Sequence, residues 1–132
     1  MSSDFGIFYR QNTFDIITLK AVQAGLSGGI SFAGTLAGIF SSVLFTVIIS
    51  FLFELTYVHS IIICTGGIGG MLTDSVIGSL WQAKYQHGSI IDEEVRPDSR
   101  LIKGLHWMNN DMVNVLSNFV VTFTSIILLS HL

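Results

Sequence analysis

The sequence predicts an all-α integral membrane protein with three transmembrane helices, a glycine-rich membrane-proximal N-terminal segment and one long cytoplasmic loop. Three observations predict it. Asp, Glu, Lys and Arg make up only 11% of the 132 residues, against about 25% in soluble domains, too few to dress a wholly aqueous surface. Three apolar runs are each long enough to cross about 30 Å of hydrocarbon. Every Lys and Arg falls before the first run or between the second and third, the asymmetry expected of cytoplasmic segments.

In chain order, residues 1–31 carry Arg10, Asp15 and Lys20 and so do not span. The first span is expected over 32–53, which holds no charge. Glu54 and His59 mark a short turn before a second span over 58–81, interrupted only by Asp74. Residues 82–111 hold most of the remaining charge and the single proline, Pro97, and read as an aqueous loop. The third span, 112–132, contains no acidic residue. The whole chain, 1–132, reads as one membrane domain in contact with a lipid bilayer. A formal net charge of −3 offers no basic face for a nucleic-acid partner. The lone Cys64 lies in an apolar run and cannot form an intrachain disulfide. Met1-Ser2-Ser3-Asp4 lacks the basic and apolar regions of a signal peptide.

Three polar constellations break the apolar pattern. A carboxylate near the centre of a membrane helix costs roughly 2.5–3.5 kcal/mol, so Asp74 needs a cavity or a partner. Gly66, Gly70, Asp74 and Gly78 recur every four residues on one helix face, and small residues at that spacing admit another backbone. A packing seam with a hydrated carboxylate near its end is one reading; a metal or proton site in a tight interface is the other.

The second constellation opens the third span, where Asp111, Asn114 and Asn118 form one helical stripe. Carboxylate and amide oxygens are ligands that Mg²⁺ accepts beside substrate phosphates. Helix capping by Asn110 or Asp111 accounts for one of these residues. The third is Lys20 followed by Gly25-Leu26-Ser27-Gly28-Gly29-Ile30-Ser31. There backbone N–H groups of Ser27, Gly28 and Gly29 could approach a phosphate, with Lys20 as a point charge; a flexible hinge is the competing reading.

The topology brings all three constellations to one membrane face. Lys20, Asp74 and Asp111 as catalytic groups, with Asp74, Asp111 and Asn114 on the metal, suggest phosphoryl or nucleotidyl transfer from a nucleotide to a lipid-soluble acceptor. A non-catalytic transporter or lipid-binding subunit is the alternative, with Asn118, Thr122 and Ser125 continuing into the third span. Asp92-Glu93-Glu94 reads as a solvated run, and Trp81, Tyr85 and Trp107 as an interfacial aromatic belt.

Several stretches carry a family resemblance: Ile17-Thr18-Leu19-Lys20-Ala21-Val22, the glycine loop through Ser31, Gly34-Thr35-Leu36-Ala37-Gly38, Gly70-Met71-Leu72-Thr73-Asp74-Ser75-Val76-Ile77-Gly78 with Gln82, and Gly104–Asn114. In order, these resemble the integral-membrane family of phytyl-phosphate kinase and transmembrane protein 19. The resemblance implies a prenyl-phosphate kinase-like transferase using CTP or another nucleotide, Mg²⁺ and a prenyl phosphate. It places Lys20, Ser27, Gly28 and Gly29 on phosphates and Asp74 and Asp111 on the metal. Family members are longer and have further spans upstream of the stretch matched by Ser3-Asp4-Phe5-Gly6. The chain thus resembles the C-terminal part of the family domain, with a second copy or upstream helices supplying the rest.

Overall fold

A computed structural model of the chain describes residues 13–131; Arg10 and the Ser3–Gly6 stretch lie outside them. A short antiparallel hairpin, β1 (Thr13–Asp15) with β2 (Gly29–Ser31), precedes helix α1 (Phe32–Leu52). Helix α2 (Tyr57–Trp81) follows, then strands β3 (Lys84–His87), β4 (Ile90–Asp92) and β5 (Arg100–Lys103), and finally helix α3 (Asn110–Ser130).

Ser31 ends β2 in an extended conformation and caps α1 by accepting a hydrogen bond from the Gly34 N–H, 3.1 Å. A side-chain acceptor at this position satisfies one of the unpaired N–H groups of the first turn. Glu54, with a φ of 49°, closes α1 in the left-handed region. The turn is shorter than expected: His59 already belongs to the first turn of α2. At about 1.5 Å per residue, the 25 residues of α2 make a rod of roughly 38 Å, longer than the roughly 30 Å thickness of a hydrocarbon layer.

All three helices are long and apolar enough to cross a membrane. Phe40, Phe45 and Phe51 of α1 and Phe119 and Phe123 of α3 are exposed. In water such a surface would aggregate; in a bilayer it is the lipid-facing side. Helix α2 packs between the other two. Toward α1, the Ser42 hydroxyl donates to the Cys64 carbonyl (2.9 Å) and Ser50 and Ser60 hydroxyls meet at 2.7 Å. Inside lipid, where water does not compete, such interhelical bonds and close small-residue packing replace the hydrophobic drive.

The face of α2 bearing Gly66, Gly70, Asp74 and Gly78 is a seam along its whole length. Gly66 and Gly70 face Val121 and Ser125 of α3, and Gly78 faces the Cβ and backbone of Ser27 and the backbone nitrogen of Gly28. Asp74 accepts a hydrogen bond from the Ser117 hydroxyl of α3 at 3.0 Å.

Residues 82–111 differ from the expected irregular loop. They hold a three-stranded antiparallel sheet in the order β4-β3-β5. Tyr85 pairs with Asp92 on one side and Leu101 on the other, with an irregularity between Lys84 and Tyr85. The sheet is tied to the end of α2: Leu105 N–H donates to the Trp81 carbonyl and Ala83 N–H to Met108, each 2.9 Å. Ile77, Met108 and Val113, with Leu116 against them, form a small apolar core where α2, α3 and this connection meet. Tyr85 therefore leaves the proposed aromatic belt: it is buried, edge-on to His106. Trp81 and Trp107 stay exposed at the same end.

Candidate functional site

The polar centre lies where the β1–β2 hairpin, the end of α2 and the sheet converge. Asp15 ends β1 and is 3% exposed. Its Oδ1 accepts from the N–H groups of Ile17 (3.0 Å) and Thr18 (2.9 Å), and its Oδ2 from the Ser79 hydroxyl (2.7 Å). The Lys103 ammonium stands 3.8 Å from Oδ2. Burial acts to raise the Asp15 pKa, but the bonds from Thr18, Ser79 and Ile17, with Lys103, outweigh it and bring it down to about 2. One buried carboxylate thereby joins hairpin, helix and sheet.

This shift has a pH consequence. The folded pKa lies below the ordinary carboxylate value near 3.9, so its stabilisation is complete above that value and disappears as pH falls through about 2. It amounts to something on the order of 2 kcal/mol at neutral pH. Thermal unfolding in detergent between pH 5 and 2 is expected to show a falling midpoint. Asp15→Asn is expected to lower the neutral-pH midpoint and flatten that fall; an unaltered pH profile would reject the assignment.

The glycine loop sits directly on α2. Gly28, with a φ of 82°, is pressed against Ser79, which is 0% exposed. The Gly28 carbonyl accepts from Ile16 N–H, and Gly29 N–H donates to Leu26. Ser27 directs its N–H and its hydroxyl onto the two carboxylate oxygens of Glu93, the hydroxyl at 3.1 Å. Gln82, 1% exposed, donates from Nε2 to the same carboxylate at 2.6 Å, while its Oε1 is buried without a donor among the described residues. The Lys84 ammonium donates to the Ser27 carbonyl, 2.7 Å. Burial, then the neighbouring Lys103 charge, lowers the Lys84 pKa, with Glu93 and Asp15 opposing.

The residues singled out from the sequence are distributed unevenly. Ser27, Gly28 and Gly29 lie together at the end of α2, one helical turn beyond Asp74. Asp74 and Asn114 are linked through Ser117, whose hydroxyl lies 3.0 Å from the carboxylate and 3.1 Å from the Asn114 carbonyl. The Asn114 side chain and Asp111 are exposed. Asn109, not Asn110 or Asp111, caps α3, accepting from Met112 N–H at 3.0 Å. Lys20 is exposed in the hairpin connection, and its carbonyl accepts from Asp15 N–H. Among the described residues no cluster of three His, Cys, Asp or Glu side chains forms a metal-binding group.

Glu93, Gln82, Lys84, Asp15, Ser79 and Lys103 escaped the sequence reading as site residues. Glu93 is not part of a solvated run: it is bonded to Ser27 and Gln82, while its neighbour Asp92 pairs with Arg96. The retrievable signal was Gln82, a polar residue at the very end of an apolar helix.

Fold and site together define a polytopic helical membrane protein with a glycine-rich polar centre at one end of its helix bundle. The chain belongs to a known family of such proteins: residues 1–122 match the integral membrane protein DUF92 family. It is 29% identical over 117 residues to Protein VTE6, chloroplastic, of Arabidopsis thaliana, covering 89% of this chain and 30% of that protein. It is 32% identical over 106 residues to the uncharacterized membrane protein MJ0933 of Methanocaldococcus jannaschii, covering 79% of this chain and 42% of that protein. The chain thus spans less than half the length of either relative. No solved structure matches it.

Proposed function

We propose that this chain contributes the phosphate- and metal-binding side of a Mg²⁺-dependent transferase that moves a phosphoryl group from a nucleotide, CTP or another, to a prenyl phosphate. The observation that carries this reading is the seating of the Ser27-Gly28-Gly29 loop on Gly78 and Ser79, one turn from Asp74 on the same helix. A phosphate-cradling loop and a metal-binding carboxylate are the two parts such a reaction requires, because its catalysis is mostly positioning and charge neutralisation.

The donor set suits a hard cation. Asp74 uses one oxygen on Ser117, and its other oxygen has no hydrogen-bond donor among the described residues. Asp111 and the Asn114 side chain lie toward the same end of α3 and supply only oxygen ligands. Asp74, Asp111 and the Asn114 side chain would hold Mg²⁺, which would supply positive charge to offset that of the donor phosphates. The chain's own residues would do the rest: the Ser27 N–H and hydroxyl orient the nucleotide phosphates, Lys84 and Lys20 add positive charge, and the exposed apolar helices seat the prenyl chain in lipid. An oxygen of the prenyl phosphate would attack the terminal phosphorus, and the nucleoside diphosphate would leave. The basic flanks of the spans favour a cytoplasmic position for this end.

Membranes carrying the full-length gene product, given CTP, Mg²⁺ and a prenyl monophosphate, are expected to form the diphosphate, and chelating Mg²⁺ is expected to stop it. No conversion with any nucleoside triphosphate would reject the reading. A second reading has one observation in its favour. A groove of about 210 Å³ between α2 and α3 is lined by Thr65, Thr73, Thr124 and Ser125, among others, placing hydroxyls along the depth of the membrane. Solute flux into proteoliposomes without nucleotide turnover would favour this transporter or lipid-binding role.

A further inference from the structure

The cradle around Ser27 already holds an anion, and the anion belongs to the chain. A backbone N–H and a hydroxyl from Ser27 and a side-chain amide from Gln82 all converge on the Glu93 carboxylate. Three donors from two elements, directed at two oxygens of one negative group, are equally the equipment for two oxygens of a phosphate. Lys84 adds a buried cation beside Ser27, spending its bond on a neutral carbonyl. It makes no ion pair with Glu93 among the described residues. The positive charge is therefore held next to the cradle without being matched at contact distance. Gln82 Oε1 remains an unmatched buried acceptor.

The element that delivers Glu93 is built to leave. Glu93 lies one residue past the end of β4, outside the β4–β3 ladder, whose last pair is Tyr85 with Asp92. Beyond it, Glu94, Val95 and Arg96 are exposed, and the turn is closed locally by Arg96 with Asp92 and by Ser99 with Arg96. Withdrawing the Glu93 side chain breaks its three side-chain bonds, while its backbone N–H bond to Asp92 (2.8 Å), the sheet, the turn and the Asp15 junction make no use of that carboxylate.

We propose that Glu93 is a tethered carboxylate plug that occupies the phosphate position of the Ser27–Gln82–Lys84 cradle and must withdraw before a phosphate-bearing ligand binds. The plug rests on the phosphate reading of the Ser27 loop, though not on which group is transferred or to what acceptor. A site open only part of the time binds with its intrinsic affinity diminished by the open fraction. Removing the plug's charge while keeping its shape therefore tightens binding.

The test uses the purified full chain in detergent with Mg²⁺ and inorganic pyrophosphate as the probe. Glu93→Gln is expected to tighten the pyrophosphate Kd about tenfold relative to wild type, and Ser27→Ala added to it should remove that gain. In the wild-type protein, independent of any variant's folding, pyrophosphate is expected to speed hydrogen exchange of the amides around Glu93. An unchanged or weaker Kd in Glu93→Gln, slower exchange around Glu93, or no pyrophosphate binding by either protein would overturn the plug. The plug and the transferase fail separately. Tighter pyrophosphate binding in Glu93→Gln without diphosphate formation from any prenyl phosphate keeps the plug and removes the transferase. Turnover with a pyrophosphate Kd indifferent to Glu93 does the reverse.

Discussion

Gly28→Ala is expected to destabilise the protein by about 2–5 kcal/mol and to detach the glycine loop from α2. Two independent effects add. A φ of 82° is left-handed, where an L-residue with a Cβ loses about 1–2 kcal/mol. The new Cβ would also lie 2.5 Å from both Cα and Cβ of Ser79. Ser79 lies in the last turn of α2 and is held there by its bond to Asp15, so the helix backbone cannot give way without undoing that junction. Overfilling such a contact costs a further 1–3 kcal/mol or so. Gly25→Ala is the control. Its φ of 94° is equally left-handed, but a Cβ there would meet nothing within 4 Å, leaving only the conformational term of about 1–2 kcal/mol. Thermal unfolding in detergent, followed by helical ellipticity, should rank wild type above Gly25→Ala and Gly25→Ala above Gly28→Ala. Equal midpoints for the two variants would mean that the loop does not pack on Ser79.

Asp74→Asn is expected to lower turnover of the full-length protein at least about 100-fold, with little change in stability. Asparagine keeps the size of the side chain, and its amide oxygen can still accept from the Ser117 hydroxyl, so the α2–α3 seam should survive. It removes a negative charge, and loss of one preorganised electrostatic contact in an enclosed site is commonly worth 10²–10³ in kcat. The residual activity should need more Mg²⁺, because the variant offers the cation a neutral ligand. If Asp74→Asn turns over normally at wild-type Mg²⁺ concentrations, the carboxylate serves the helix seam alone. Unimpaired Mg²⁺ dependence in Asp111→Ala would remove Asp111 from the ligand set without touching Asp74.

The spans were legible because hydropathy is additive along the chain: a run of about 20 apolar residues in a low-charge protein admits few other structures. The observed helices α1, α2 and α3 begin within two residues of the expected starts. The small sheet was harder to read. Tyr85-Gln86-His87 and Ile90-Ile91 flank a two-residue Gly88-Ser89 turn, a hairpin signal, but the charged residues around them read as solvated loop. The four-residue recurrence of Gly66, Gly70, Asp74 and Gly78 was legible because helical neighbours repeat at that spacing. Its two partners, α3 along most of its length and the glycine loop at Gly78, were not.

Membrane class, three helices, the small-residue seam of α2 and the family are properties of order and periodicity, and the amino-acid sequence alone determined them. The pairing of Asp15 with Ser79 and of Ser27 with Glu93 spans more than sixty residues in each case, and only the tertiary structure decided it. No local rule connects a carboxylate in a short hairpin to a hydroxyl at the end of a membrane helix. The link exists because the end of α2 carries Ser79 and Gln82 to the level of the hairpin and the sheet. There, burial obliges each polar group to find a partner, and the partner is whichever group the chain folds back to that place.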